Sequence, residues 1–265
     1  MSTGGKVKLW AEKLTHEYSG RKESAVKAIV DVSLHVNEGE FVSIIGPSGC
    51  GKSTLLNVLV GLIAPTEGFV FLNGRDNTGV TGKIGYMPQR DLLMPWRSIQ
   101  DNVILGLEIG GVKKEVALAK ASELFKIFGL EGFEKHYPSE LSGGMRQRAA
   151  MMRTFLADRD VNLLDEPFGR LDSLTRTALQ EWLQKYCETS RKTVVLITHD
   201  IDEAIFLSDR IYVMSRRPGA IIKEVAVELP RPRDYSAVIG SPVFVSLKQE
   251  LLGYLHPKET VPVQS

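Results

Sequence analysis

The run GPSGCGKST, Gly46 to Thr54, stands between the apolar segment FVSII (41–45) and a stretch of helical periodicity that opens at Lys52. It fits GxxxxGK[ST] in the strand-to-helix setting that this pattern requires. Glycines let the backbone turn its N–H groups inward around phosphate oxygens, and the helix N-terminus adds a partial positive charge there. Gly46, Pro47, Ser48, Gly49, Cys50 and Gly51 therefore form the expected phosphate cradle, followed by Lys52, Ser53 and Thr54 at the helix start. Lys52 is expected to reach the β and γ phosphates and Ser53 to offer its hydroxyl to Mg²⁺, a hard cation that takes oxygen ligands while keeping several waters. The expected ligands are a nucleoside triphosphate and Mg²⁺.

The rest of the chain agrees with an α/β layout. KVKLWAEKLTHEY, VSLHV and FVSII read as strands, with Gly39 turning the chain between the second and third. A helix is expected over Lys52–Ile63, ended by Pro65 and Gly68 before a short strand, FVFLNG. Helical spacing recurs over Glu115–Gly129 and Gly144–Leu156, and a helical insert is expected at about 90–154. Strands return at 161–164, 193–198 and 210–215, with a helix over Leu174–Ser190 between the first two. Such alternation implies a mostly parallel sheet with helices on both faces. One domain over 1–230 is expected, with 231–265 as a C-terminal appendage of weaker periodicity.

Other residues join the phosphate loop at the carboxyl ends of strands, where ligands of such sheets gather. In VNLLDEP, Asp165 and Glu166 follow a strand expected to lie beside the phosphate-loop strand. Asp165 would hold Mg²⁺ through its water shell, and Glu166 would polarise the water that attacks the γ phosphate. His199 follows TVVLIT and is placed to hydrogen-bond the γ phosphate or that water, with Asp200 and Asp202 as candidate caps of the next helix.

Bulk properties narrow the partners. With 33 basic and 32 acidic residues the formal net charge is +1, too little to hold nucleic acid as a main partner. Cys50 and Cys187 lie far apart without metal-ligand spacing, which fits free thiols in a reducing compartment. The N-terminus lacks the apolar run of a signal peptide, and the longest apolar stretch, Leu55–Ala64, is too short to span a bilayer. A membrane role would act through a separate subunit.

LSGGMRQR at 141–148 then resembles the signature LSGGQxQR of ATP-binding cassette (ABC) ATPases, departing from it at Met145. The likeness covers nearly the whole chain in family order: Tyr18, the phosphate loop, Gln89 in YMPQ, the signature, LLDEP, GRLD at 169–172 and His199. It implies a phosphate-loop NTPase fold of ABC type, with a mostly parallel core, an N-terminal antiparallel β region and a helical subdomain. It also implies that Tyr18 stacks on the adenine of ATP, and that Gln89 touches Mg²⁺ or the water and reports to a membrane subunit. By the same resemblance two cassettes pair head to tail, as a homodimer or heterodimer, with Asp172 at the interface. Ser142, Gly143 and Gly144 of one would then cover the γ phosphate held by the other. Lys52, Gln89, Glu166 and His199 form the implied catalytic set, and Ser53, Gln89 and Asp165 the implied metal ligands.

Two stretches, RDLLMPWRSIQDNVILGLE (90–108) and ELPRPRD (228–234), resemble the ATPases of nitrate, sulfonate and taurine importers. That branch implies an integral membrane permease, an extracytoplasmic solute-binding protein reached indirectly, and a peripheral place on the cytoplasmic face of the inner membrane. The alternatives are a soluble cassette ATPase acting on ribosomes or DNA, and an exporter motor. Asn162 departs from an apolar family position and needs a hydrogen-bond partner if buried. Arg170, Met152 and Thr154 replace small family residues, departures that bear on packing between cassettes and on turnover.

Overall fold

The structure, a computed structural model, describes residues 5–18 and 25–255. Long strands β1 (Val7–Tyr18) and β2 (Val26–Asn37) pair antiparallel, and Gly39 (φ 74°) turns the chain into β3 (Phe41–Ile45), whose every residue is buried. Helix α1 covers Lys52–Leu59, shorter than expected from the sequence. It stops because Gly61 takes φ 79° and the chain closes a Schellman turn, with Leu62 N–H on Asn57 O at 2.9 Å and Gly61 N–H on Val58 O at 3.1 Å. A Cβ at Gly61 would lie 2.4 Å from the Val80 carbonyl oxygen, so no larger residue fits that turn.

Strands β4 (Glu67–Leu72) and β5 (Arg75–Asp76) complete a four-stranded antiparallel sheet in the order β2-β1-β4-β5. After β6 (Gly85–Met87) come four helices, α2 (Ile99–Val103), α3 (Leu105–Ile109), α4 (Lys114–Ile127) and α5 (Gly143–Leu156). The short α2 and α3 carry too few turns for periodicity to reveal them in the sequence. Ser142 caps α5, its hydroxyl accepting from Met145 N–H at 3.3 Å. Met152 and Thr154 lie in this chain's own core, so those two departures act on internal packing rather than on a contact between cassettes.

The chain continues through β7 (Val161–Asp165), α6 (Ser173–Ser190), β8 (Thr193–Ile197), α7 (Ile201–Leu207), β9 (Arg210–Met214) and β10 (Ile221–Ala226). The second sheet has the order β10-β9-β3-β8-β7-β6, parallel throughout except for the antiparallel edge strand β10. The α/β core with a mostly parallel sheet is as expected, but one adjacency is not. β7 does not lie beside β3, because β8 is hydrogen-bonded between them and carries His199 into the gap.

Helices α8 (Tyr235–Val238) and α9 (Pro242–Leu255) follow. This part of the expected C-terminal appendage packs on the core, with Phe244 and Leu251 of α9 buried there, and 256–265 lie outside the described residues. Arg233, itself buried, donates to the Ile205, Phe206 and Ser208 carbonyls at 2.8–3.0 Å and so satisfies the C-terminal end of α7. The stretch ELPRPRD therefore fastens the C-terminal segment to α7. Among the described residues no helix is long and apolar enough to cross a membrane. Both cysteines are buried free thiols, and burial pushes Cys187 up to about 12.

Candidate nucleotide and hydrolysis site

The phosphate loop leaves β3 and is shaped by its glycines. Gly49 and Gly51 have φ of 74° and 113°, and a Cβ on Gly51 would sit 2.6 Å from the Ala28 carbonyl oxygen. Lys52 opens α1, and its buried Nζ donates to Gly46 O at 2.7 Å and Pro47 O at 2.9 Å. A cleft of about 390 Å³ lies above this turn. Ser48, Gly49, Gly51, Lys52, Ser53 and Thr54 form its floor, with Tyr18, Gln89, Asp165 and Glu166 around it. Gly46, Pro47 and Cys50 do not line it: the first two turn carbonyls to Lys52, and Cys50 is buried beneath. Tyr18 is 43% exposed, with its hydroxyl 3.2 Å from Thr54 Oγ1.

The parallel sheet brings the acidic pair to this cleft. Asp165 ends β7, and burial raises its carboxyl above the usual range while Ser53 and Lys52 pull the other way. Glu166 takes φ 49°, a left-handed conformation that costs energy for a residue with a Cβ. Its backbone is held in place from both sides. Its N–H donates to Ile197 O at 2.9 Å, and its carbonyl accepts from Gln147 Nε2 at 2.8 Å. The side chain is then aimed between two partners: Gln89 Nε2 donates to Oε2 at 3.0 Å, and His199 Nδ1 lies 3.3 Å from Oε1.

His199 does not line the nucleotide cleft. It borders a smaller polar cavity of about 50 Å³ behind Glu166, shared with Arg176 and Glu203. Asp200 caps α7 by accepting from the Asp202 and Glu203 N–H groups, whereas Asp202 is no cap and pairs with Lys248 at 2.8 Å. Ser142, Gly143 and Gly144 are also outside this chain's cleft; Gly144 abuts the Arg170 carbonyl. Asp172 is exposed and caps α6 through Thr175 N–H at 3.0 Å.

Two functional candidates escaped the sequence reading. Arg217 borders the nucleotide cleft because β9 neighbours β3, which puts the loop after β9 next to the phosphate loop. A basic residue just past a strand's carboxyl end was the available signal. Gln147, within the signature itself, accepts from Arg170 N–H at 2.9 Å while donating to Glu166 O, so one buried amide ties the signature helix to two points of the loop between β7 and α6.

An open phosphate cradle faced by a carboxylate held between an amide and an imidazole can bind a nucleoside triphosphate and deprotonate water beside it. Fold and site together define a phosphate-loop ATPase. Residues 29–169 match the family described as ABC transporter, and the chain belongs to that family. It is 44% identical over 252 residues to an uncharacterised ABC transporter ATP-binding protein of Methanocaldococcus jannaschii, covering 94% of this chain and 92% of the relative. It is 40% identical to an aliphatic sulfonates import ATP-binding protein of Bacillus licheniformis (92% and 93% covered) and 41% identical to a taurine import ATP-binding protein of Rhizobium johnstonii (91% and 94% covered). Among solved structures it is similar to a dimeric bacterial ABC transporter cassette, at 34% identity and a TM-score of 0.77, over 84% of this chain and all of that one. The same cassette in a post-hydrolysis state with ADP and phosphate gives 0.76.

Proposed function

We propose that this chain is the ATP-hydrolysing subunit of a membrane importer for a small sulfonate- or taurine-like solute. The observation that carries the reading is the seating of Glu166 beside the phosphate loop, its carboxylate oxygens engaged by Gln89 and His199. Glu166 takes the proton of the attacking water, and His199 steadies the water or the γ phosphate. Lys52 and the loop N–H groups hold the phosphates, and Tyr18 stands where an adenine ring could stack.

Ser53 and Asp165 supply hard oxygen donors at the cleft, and Gln89 keeps its carbonyl oxygen free while its nitrogen serves Glu166. That set suits Mg²⁺, whose other ligands would be phosphates and water, and when bound the ion would neutralise charge on the β and γ phosphates. Ser142, Gly143 and Gly144, lying off this chain's own cleft, are available to close the γ phosphate of a second cassette in a head-to-tail pair; the similar solved cassette is dimeric.

Importer coupling needs a surface for the permease. Leu62, Leu92 and Ile109, at least 59% exposed, edge a groove of about 380 Å³ between the β6 and α3–α5 regions. Pro88 lines that groove while its neighbour Gln89 lines the nucleotide cleft, so the permease and Glu166 would share one loop. The chain would then sit on the cytoplasmic face of the membrane, with the solute-binding protein on the other side.

Glu166→Gln keeps the size and the hydrogen bonds of the side chain and removes the base. It should bind ATP, dimerise stably with it, and turn over at least about 100-fold more slowly. Gentle membrane solubilisation followed by mass spectrometry should recover a polytopic permease bound to this chain. Normal turnover by Glu166→Gln would overturn the hydrolysis assignment, and ribosomal or DNA-repair partners in place of a permease would overturn the importer.

A further inference from the structure

We infer that Thr198 and Glu203 form a brace that positions His199 for ATP hydrolysis. This inference rests on the reading of His199 given above and extends it to residues that never touch the nucleotide cleft. His199 cannot be placed by packing, because its side chain is 64% exposed. Its position is set by the backbone on either side.

That backbone is tied through one hydroxyl. Thr198, the residue before His199, donates its Oγ1 proton to Glu203 Oε2 at 2.7 Å and accepts the N–H of Asp200, the residue after, at 3.0 Å. The first turn of α7 thereby grips both flanks of His199. A third tie runs to β3, where Thr198 N–H meets Ile44 O at 3.4 Å.

Glu203 is an expensive residue at this place. It is only 7% exposed, and a buried carboxylate loses solvation that an apolar residue of equal size would not. What it gains is the Thr198 hydroxyl and the Arg176 guanidinium, whose Nε is 3.8 Å from Oε1. Arg176 in turn donates to Leu171 O at 3.2 Å, in the loop that follows Glu166. The brace thus links the His199 loop to the Glu166 loop, through charge attraction between Arg176 and Glu203 rather than a hydrogen bond, and bears on the 3.3 Å His199–Glu166 approach.

The test measures ATP turnover and nucleotide affinity of the full chain for Glu203→Ala, Glu203→Gln, Thr198→Val and Thr198→Ser, singly and in a His199→Ala background. Losing the brace (Glu203→Ala, Thr198→Val) should lower kcat about tenfold with KM for ATP within about twofold. Glu203→Gln and Thr198→Ser, which keep an acceptor and a hydroxyl, should stay within about threefold of the parent. On the residual turnover of His199→Ala, adding Glu203→Ala should change kcat less than about twofold, since residues acting through one group are not additive. The inference fails if Glu203→Ala turns over normally, if its effect multiplies with that of His199→Ala, or if the conservative variants lose as much. Should Glu203→Ala not fold, the Thr198 pair decides alone. A His199→Ala chain with normal kcat would instead sink the underlying site reading.

Discussion

Gln89 Nε2 donates to Glu166 Oε2 at 3.0 Å, so the amide that follows β6 and the carboxylate that follows β7 meet across the mouth of one cleft. The amide orients the carboxylate without neutralising it, which leaves Glu166 able to accept a proton. Gln89→Ala should lower kcat about tenfold and leave ATP affinity within about threefold, as measured by phosphate release and nucleotide titration. Gln89→Glu should be worse than Gln89→Ala, because it sets a like charge against Glu166 where the amide donated. A normal kcat for Gln89→Ala would show that the contact orients nothing.

The residues that a phosphate cradle needs are contiguous, so Gly46–Thr54 could be read directly from the sequence, as could the acidic pair ending an apolar strand. Strand order could not, because adjacency in a parallel sheet is settled by crossovers that leave no local mark, and β8 came between β3 and β7. Arg217 and Gln147 were hidden for the same reason: each acts on a loop distant in sequence. Glu203 stands in the first turn of α7, where acidic residues are common, and only its burial against Thr198 and Arg176 distinguishes it. The packing of the C-terminal segment was not legible, because α9 buries just two side chains, too few to give a clear apolar stripe.

Arg233 is the fastening of that segment. Besides the three carbonyls at the end of α7, it donates to Leu229 O at 3.2 Å, and its backbone N–H meets Gln184 Oε1 at 2.9 Å. Arg233→Ala would strand several buried acceptors and should cost about 3 kcal/mol by urea denaturation. Arg233→Lys should recover only part of that, since its shorter side chain ends in one ammonium, whereas Arg233 serves the three α7 carbonyls from Nη1 and Leu229 O from Nη2. A loss below about 1 kcal/mol for the alanine variant would mean that water replaces the guanidinium.

Glu203 also makes stability depend on pH. Burial and the Asp200 charge push its carboxyl up to about 7, against the opposing pull of Thr198, Arg176 and His199. The folded chain therefore holds this proton more tightly than the unfolded chain. Its contribution is fully present below the ordinary glutamate range and is lost as pH rises toward 7. Glu203→Gln cannot titrate, so its stability relative to the parent should improve between pH 4.5 and pH 8, by on the order of 3 kcal/mol at most. Denaturant midpoints of both proteins across that range supply the measurement, and parallel curves would show that folding leaves the Glu203 carboxyl unshifted.

Asn162 is a polar residue inside β7, every residue of which is buried. Its Nδ2 donates to Arg159 O at 3.2 Å, but Oδ1 has no partner. The side chain lies against Gly85, its register partner on β6, where a Cβ would come within 2.2 Å of Oδ1. An unpaired buried acceptor costs about 1–3 kcal/mol, while the Arg159 carbonyl, on an exposed residue, can turn to water if Asn162 is lost. Asn162→Leu keeps the branching at Cγ and removes both polar atoms, so it should stabilise the chain by about 1 kcal/mol with ATP turnover unchanged. Gly85→Ala should destabilise the parent, because the new methyl meets Asn162 Oδ1 at 2.2 Å with the Arg159 Cβ 3.5 Å away. A less stable Asn162→Leu chain would mean that the Arg159 hydrogen bond outweighs the orphaned oxygen, and that the departure from an apolar residue costs this protein nothing.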